Sequence, residues 1–387
     1  MSLSEVCVVG YGLHPPWSEG TRVLTRDQMR ALTDHAALDV RGISTIRPGD
    51  EPSPEFEMSY ARESRLGDLV AALGGYRYNR DAVMFARLAW RVGRHLARED
   101  PDVVHLGFAS HSLFALVNDL VGDAAVVAQT FGGVEHGRLL NALDTPSRID
   151  AYVSTTDADL EALEAMGVPS SNCHSLDPPV FLDRFGGVDR STARAQFGLP
   201  EDAFVAGYFG NVNEARFPFE VAAALDAFAA DEGVELFVVT KQIEDRDVRD
   251  LDNLTVHTGH LTDTEKRAAY AAADVWTFPF RELGVERTPV IDPPLTVLEA
   301  MATGRPVIAS DTLSMADAVT DGENGFLVTP GVPDPIVERL RALRADPDAC
   351  DRLGRAARRT IHEQYSPSAV ADRLVEIYEI AQTHARD

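Results

Sequence analysis

Short apolar runs alternate with segments of helical period along this chain, and that alternation constrains its fold more than any other feature. It argues for α/β layers built on parallel sheets. VCVVG (Val6–Gly10) reads as a buried strand, followed by a loop and a helix beginning near Arg22. A periodic segment, MFARLAWRVGRHL, precedes a strand in DVVHL, and AAVVAQTF and AYVST follow before a helix that runs through Met166. The stretch from Ser170 to Arg190 is rich in Pro, Gly, Ser and Asp and reads as a linker near Gly186–Gly187. A second series then begins with AFVAGYFG and continues through VELFVVT, LTVHTG, DVWTFPF and RPVIAS, each pair enclosing a helical pattern. At 387 residues the chain exceeds one ordinary core. The expected division is a Rossmann-like domain over 1–186, a second over 187–365, and a terminal helix over 366–387. Ligands of such sheets sit beyond the carboxyl ends of the strands, so the expectation is a cleft between two facing halves.

Charge narrows the partners. The chain carries 61 Asp and Glu against 36 Lys and Arg, a formal net charge of −25. A surface this acidic repels nucleic acid and anionic lipid over most of its area. Only two of the basic residues are lysine, Lys241 and Lys266. Lysine scarcity with abundant Asp resembles the composition of proteins from salt-loving archaea, an analogy that speaks of habitat rather than activity. Cys7, Cys173 and Cys350 are far apart and give neither a disulfide framework nor metal-ligand spacing. No apolar run reaches the length of a membrane span. The start, MSLSEVCVVGYG, lacks the features of a signal peptide, so a cytoplasmic setting is expected.

One stretch carries chemistry that needs an explanation. In DPPLTVLEAMATGRPVIASD, Asp292 and Pro293 read as N-cap and first helical residue, Gly304 as the C′ residue, and Pro306 as the lead into a strand. The helix is apolar nearly all round, so it is expected to be buried. Only Thr296 and Glu299 are polar, three apart and on one side. A buried glutamate needs a partner. Helix chemistry alone leaves two kinds open: a structural partner, as an ion pair or a backbone hydrogen bond, or a ligand in a cleft.

The order of motifs adds a resemblance. LTVLEAMATGRPVIASD, then DGENGFLV, an arginine-rich helix and EQYS resemble the family 4 (group 1) glycosyltransferases. DTEKRAAYAAADVWTFPF looks like the family's helix, AADV and strand segment, and VAGYFGNVNEAR stands where the family has a strand, Gly-Arg-Leu and a later Lys. The likeness covers roughly Ala203–Ala381 well and the first half more weakly. It implies the GT-B fold: two Rossmann-like domains, the acceptor on the first, a nucleotide-sugar on the second, and a final helix crossing back onto the first. It also implies retention of anomeric configuration, no cofactor and no required metal.

Carried over by position, Glu299 matches the motif glutamate that accepts hydrogen bonds from the nucleotide ribose, a role that suits a carboxylate because charge-assisted bonds are strong. Arg216 stands at the Lys position and would neutralise the donor diphosphate, its planar fork holding two phosphate oxygens. Leu295 and Thr296, near the start of the same helix, join the donor-binding set. There are departures. Asn211 replaces an Arg. Ile291 occupies the place of the first motif Glu, leaving Glu282, Glu286 and Asp292 as candidates for a displaced carboxylate, with Glu282 nearest the family pattern. Pro293 and Pro294 remove two N–H groups from a helix start that in the family helps cradle phosphate. In the first half, the family's Gly-rich loop corresponds to Ser18–Thr21, so Gly20 could admit phosphate or acceptor, or serve as an ordinary turn glycine. Gly132 sits where many members carry a His, with His136 the nearby substitute. His105 and His111 fall in the strand-end region, as cleft residues or as structure.

Three functions compete at this level. The leading one is a retaining hexosyl transfer from an NDP-sugar to a saccharide or polyprenyl-linked acceptor. The others are epimerisation of a sugar nucleotide on the same architecture, and a non-catalytic partner subunit that kept the scaffold. Peripheral membrane contact is common in the family. Without a strong basic amphipathic helix, such contact would work at the cytoplasmic face through a local patch against the acidic bulk.

Overall fold

The computed structural model describes residues 3–10, 20–34, 38–44, 57–60, 93, 96, 98, 100–107, 122–130, 149–241, 243, 248, 250–281, 291–312 and 314–385. They form two units, one of Met1–Pro179 with Pro367–Asp387 and one of Val180–Ser366. The first division thus falls at Pro179, ahead of the linker expected at Gly186–Gly187.

In the first unit seven parallel strands stand in the order β3-β2-β1-β4-β5-β6-β7. These are β1 (Glu5–Gly10), β2 (Asp39–Ser44), β3 (Met58–Tyr60), β4 (Val103–Gly107), β5 (Ala125–Thr130), β6 (Ala151–Ser154) and β7 (Cys173–Ser175). Their continuous apolar character follows from helices covering a parallel sheet; β4, β5 and β6 are buried along their whole length. Sequence periodicity misses β2, β3 and β7. Two of these are three residues long, and β2 carries Arg41 and Gly42. At Gly42 the ends of the Met58 and Met29 side chains occupy the space a Cβ would take.

The helix Pro367–His384 packs on the helix Gly20–Thr33 and on β5 and β6 of this unit. Its Tyr378 hydroxyl lies 2.7 Å from Nδ1 of His105, whose Nε2 is 3.1 Å from Oε1 of Gln129. An amide oxygen only accepts, so Nε2 donates and Nδ1 accepts the tyrosine proton. His105 is therefore a buried joint between β4 and the C-terminal helix rather than a free ligand. Burial drives its pKa from 6.5 down to about 4. The folded value lies below the unfolded one, so the unfolded chain binds more protons between these pH values. Stability from this residue is present above about pH 6.5 and is lost as pH falls toward 4, an effect of up to about 3 kcal/mol. Urea midpoints measured across that window should fall with pH, and less steeply in His105→Gln.

The second unit has six parallel strands in the order β10-β9-β8-β11-β12-β13. They are β8 (Val205–Phe209), β9 (Glu235–Thr240), β10 (Leu254–Thr258), β11 (Val275–Phe278), β12 (Val307–Ser310) and β13 (Phe326–Val328). Both sheets follow the Rossmann order, with the chain reversing direction of growth beside the first strand of each. Trp276, Phe237, Tyr208 and Phe278 fill the core of this unit. Gly207 lets β8 pass the Trp276 ring, which a Cβ would meet at 2.5 Å.

The helix Leu295–Ala302 begins later than its sequence suggests. Its N-cap is Pro294, with extended backbone at φ −59 and ψ 133. A residue before proline is excluded from the α region, so Pro293 cannot open the helix ahead of Pro294. Asp292 is thereby freed from capping, and its Oδ2 accepts instead from the backbone N of Ser314 at 2.9 Å. The other end is as expected, with Gly304 left-handed at φ 74. The arginine-rich helix Pro347–Gln364 presses Gly354 against this turn. A Cβ at 354 would overlap the Gly304 carbonyl. Gly354→Ala is expected to destabilise the second unit by about 1–3 kcal/mol, seen as a lower urea midpoint.

Candidate functional site

The reversal point of the second sheet lies between β8 and β11, where ligands of open α/β sheets bind beyond the strand ends. The chain leaves β8 through Gly210 and Asn211. The Tyr208 hydroxyl donates to the Asn211 carbonyl at 2.7 Å, which fixes the exit. Asn211 itself is exposed. Asn213 then folds the loop back: its Oδ1 accepts from Ala215 N at 3.1 Å and from Arg216 N at 3.0 Å. Such a side-chain turn is what Asn supplies in a short loop.

Arg216 emerges from that turn with its guanidinium 4.7 Å from the centre of the Phe280 ring, just beyond β11. The backbone N of Arg281 donates to the Ala215 carbonyl at 3.0 Å, joining the loops that follow the two strands. Among the described residues Arg216 forms no ion pair. Burial lowers its pKa, partly offset by Tyr208 and Asp292. The Asp292 carboxyl is pushed up by burial, against its bond from Ser314 and the pull of Arg216. One cation, stacked and partly desolvated, thus faces a buried acid without being neutralised by it.

Glu299 sits on the helix Leu295–Ala302 and is 7% exposed. Both of its oxygens have partners on a neighbouring helix, Asp263–Ala272. Oε1 pairs with the Lys266 ammonium, and Oε2 accepts the Tyr270 hydroxyl at 2.7 Å. Of the roles open from sequence, the structural one is therefore present, as an ion pair to Lys266 joined by a tyrosine hydrogen bond. Lys266 and Tyr270 are four apart and share a face. A capping box between Thr262 and Glu265 fixes the start of their helix. Tyr270 stacks on Phe209 at 4.8 Å, and the Lys266 Nζ lies 5.9 Å from that ring.

Arg216, Asn211, Glu299, Leu295 and Thr296 all belong to the second unit, with Leu295 and Thr296 half-buried at the start of the Glu299 helix. Gly20 belongs to the first, as the exposed first residue of its helix rather than part of a loop. Glu282, Glu286, His111 and His136 lie outside the described residues, as does Gly132. Ile291 is buried, and its side chain has no polar atom. Sequence reasoning did not single out Lys266 and Tyr270 as partners of Glu299. The available signal was the rarity of lysine, used only twice in the chain. Among the described residues no three His, Cys, Asp or Glu side chains converge to hold a metal, and no helix is long and apolar enough to cross a membrane.

Comparison with known proteins shows what this geometry is similar to. Residues 203–346 match the family of glycosyl transferases group 1. D-inositol 3-phosphate glycosyltransferase 1 of Catenulispora acidiphila is 29% identical over 306 residues, covering 76% of this chain and 70% of the relative. Phosphatidyl-myo-inositol mannosyltransferase of Mycobacterium leprae is 28% identical over 309 residues, covering 76% and 77%. Among solved structures, Anabaena HepE in complex with UDP and glucose superposes with a TM-score of 0.69 at 14% identity, over 96% of this chain and 98% of that one. Sucrose-phosphate synthase from Thermosynechococcus elongatus gives 0.71 at 17% identity, over 97% and 98%. The structural likeness establishes the GT-B fold, and the sequence relatives carry the activity. The chain has the GT-B fold, its residues 203–346 match the group 1 glycosyl transferases, and the protein is a glycosyltransferase.

Proposed function

We propose that this glycosyltransferase moves a hexosyl group from a nucleoside diphosphate sugar to a saccharide or lipid-linked acceptor, with retention of configuration. The observation that carries the reading is Arg216. In a chain of net charge −25, a stacked guanidinium without an ion pair among the described residues stands at the reversal point of the second sheet. A diphosphate there would meet a positive group already desolvated and oriented, needing little reorganisation as charge develops on the leaving oxygen. Asn211 and the backbone N–H groups of Leu295 and Thr296 add neutral donors. Glu299 then takes the ribose, whose hydroxyls can use the lone pairs left on its oxygens.

The relatives named above act on inositol phosphates and phosphatidylinositol, so polyol phosphates join saccharides and polyprenyl-linked glycans as acceptors to be tried. UDP, present with Anabaena HepE, is the first nucleotide to test. The reaction is assigned to the cytoplasm, at the membrane's cytoplasmic face where the acceptor is lipid-linked. Molar KCl suits the acidic, lysine-poor composition. Incubation with a panel of NDP-sugars in that buffer should release nucleotide slowly without acceptor and faster with one. EDTA should leave the rate unchanged, since Arg216 takes the role of a metal. NMR of the product should report the donor's anomeric configuration; an inverted product, or an epimerised free donor, would contradict the reading.

A further inference from the structure

Lysine is almost absent from this chain: two residues against 34 arginines among the 36 bases. One of the two is placed on Glu299. Arginine is the better residue for a buried, bidentate carboxylate pair, and the chain uses it elsewhere, as where Arg194 and Arg190 hold Asp274 at 2.7 Å each. A lysine at position 266 differs from an arginine in offering three N–H donors from one point. One goes to Glu299. The side chain is 29% exposed, so the ammonium is not sealed in the core.

Glu299 is equally unsaturated. Tyr270 and Lys266 supply one donor to each oxygen, and a carboxylate has about four acceptor positions. Acceptor sites and N–H donors therefore lie side by side at one partly open point. A hydroxyl group both donates and accepts, so such a pair matches it on both counts, where a carboxylate alone would match it on one. Phe209 and Tyr270 form a stacked wall beside the pair.

We propose that Lys266 is a second recognition group for the nucleotide, reading with Glu299 a ribose hydroxyl that donates to the carboxylate and accepts from the ammonium. The proposal rests on the nucleotide-sugar reading above and adds a specificity determinant to it. Its consequence is selectivity for ribose over deoxyribose, because a missing hydroxyl removes a donor from the buried carboxylate and an acceptor from the partly exposed ammonium.

The two lysines make the test direct. The full-length protein is acetylated with N-hydroxysuccinimidyl acetate with and without saturating UDP, and the Lys266 and Lys241 peptides are quantified. UDP should slow labelling of Lys266 and leave Lys241, at the end of β9, unaffected. Calorimetry should show 2′- or 3′-deoxy-UDP binding about tenfold or more weakly than UDP, the loss expected for one charge-assisted bond. In Lys266→Met that preference should shrink toward that of a carboxylate alone, while Lys266→Arg should restore part of it. The wild-type labelling does not depend on any variant folding. A chain that binds UDP yet leaves Lys266 as reactive as before overturns the Lys266 assignment alone. Unchanged preference in a folded Lys266→Met does the same. A wild-type chain that binds no nucleoside diphosphate overturns the underlying reading, and this assignment with it.

Discussion

Arg216→Ala is expected to lower kcat for sugar transfer by about 10²- to 10³-fold, the size of effect seen when one preorganised donor to a developing negative charge is lost. The reasoning starts from where the guanidinium is held. The Asn213 turn sets its backbone, and the guanidinium lies over the Phe280 ring, 4.7 Å from its centre. It has no ion pair among the described residues, so its removal leaves none of the described acids without a salt-bridge partner. The folded state should therefore lose little: some cation–π energy, about 0.5–2 kcal/mol, and part of the compensation felt by Asp292. Activity and stability should separate, and a steady-state assay beside a urea melt of the same variant checks both. Arg216→Lys should recover part of the rate, since it keeps the charge but loses the bidentate fork.

Glu299→Gln should act on binding instead. Glutamine keeps the volume and one acceptor for Tyr270 or Lys266, but removes the charge that makes hydroxyl donors bind strongly. UDP affinity is expected to fall by about 10- to 100-fold. Glu299→Ala should be worse for the fold. It leaves the fully buried Tyr270 hydroxyl and the Lys266 ammonium without their shared acceptor, a cost of about 1–3 kcal/mol for the neutral group. The half-exposed lysine can turn to water and adds less. Calorimetric titration of UDP, with a thermal melt of each variant as control, distinguishes lost affinity from lost folding.

Much of the architecture was legible because parallel strands buried on both faces leave continuous apolar runs. AVVAQT, VAGYF and ELFVVT are such runs, and each is a strand. DVRGIS is not such a run. Its place in the sheet is seen in its pairing with β1 and β3 on either side, which local periodicity does not report. The role of Asp292 was misread for a different reason. The Asp-Pro pair is a sound local start signal, but the second proline forbids helix at the first. The acid was released to bond Ser314, 22 residues on. Glu299 itself was legible as an anomaly, a carboxylate in an apolar helix. Its partners were not, because Lys266 and Tyr270 come from another helix, 33 and 29 residues away. Sequence spacing cannot pair side chains across two helices of a folded layer.

The most direct measurement is the structure of the protein crystallised with UDP in high salt. The account predicts ribose hydroxyls within hydrogen-bond distance of Glu299 and diphosphate oxygens on the Arg216 guanidinium, at the reversal point of the second sheet. UDP bound with its ribose away from Glu299 and its phosphates away from Arg216 would contradict it.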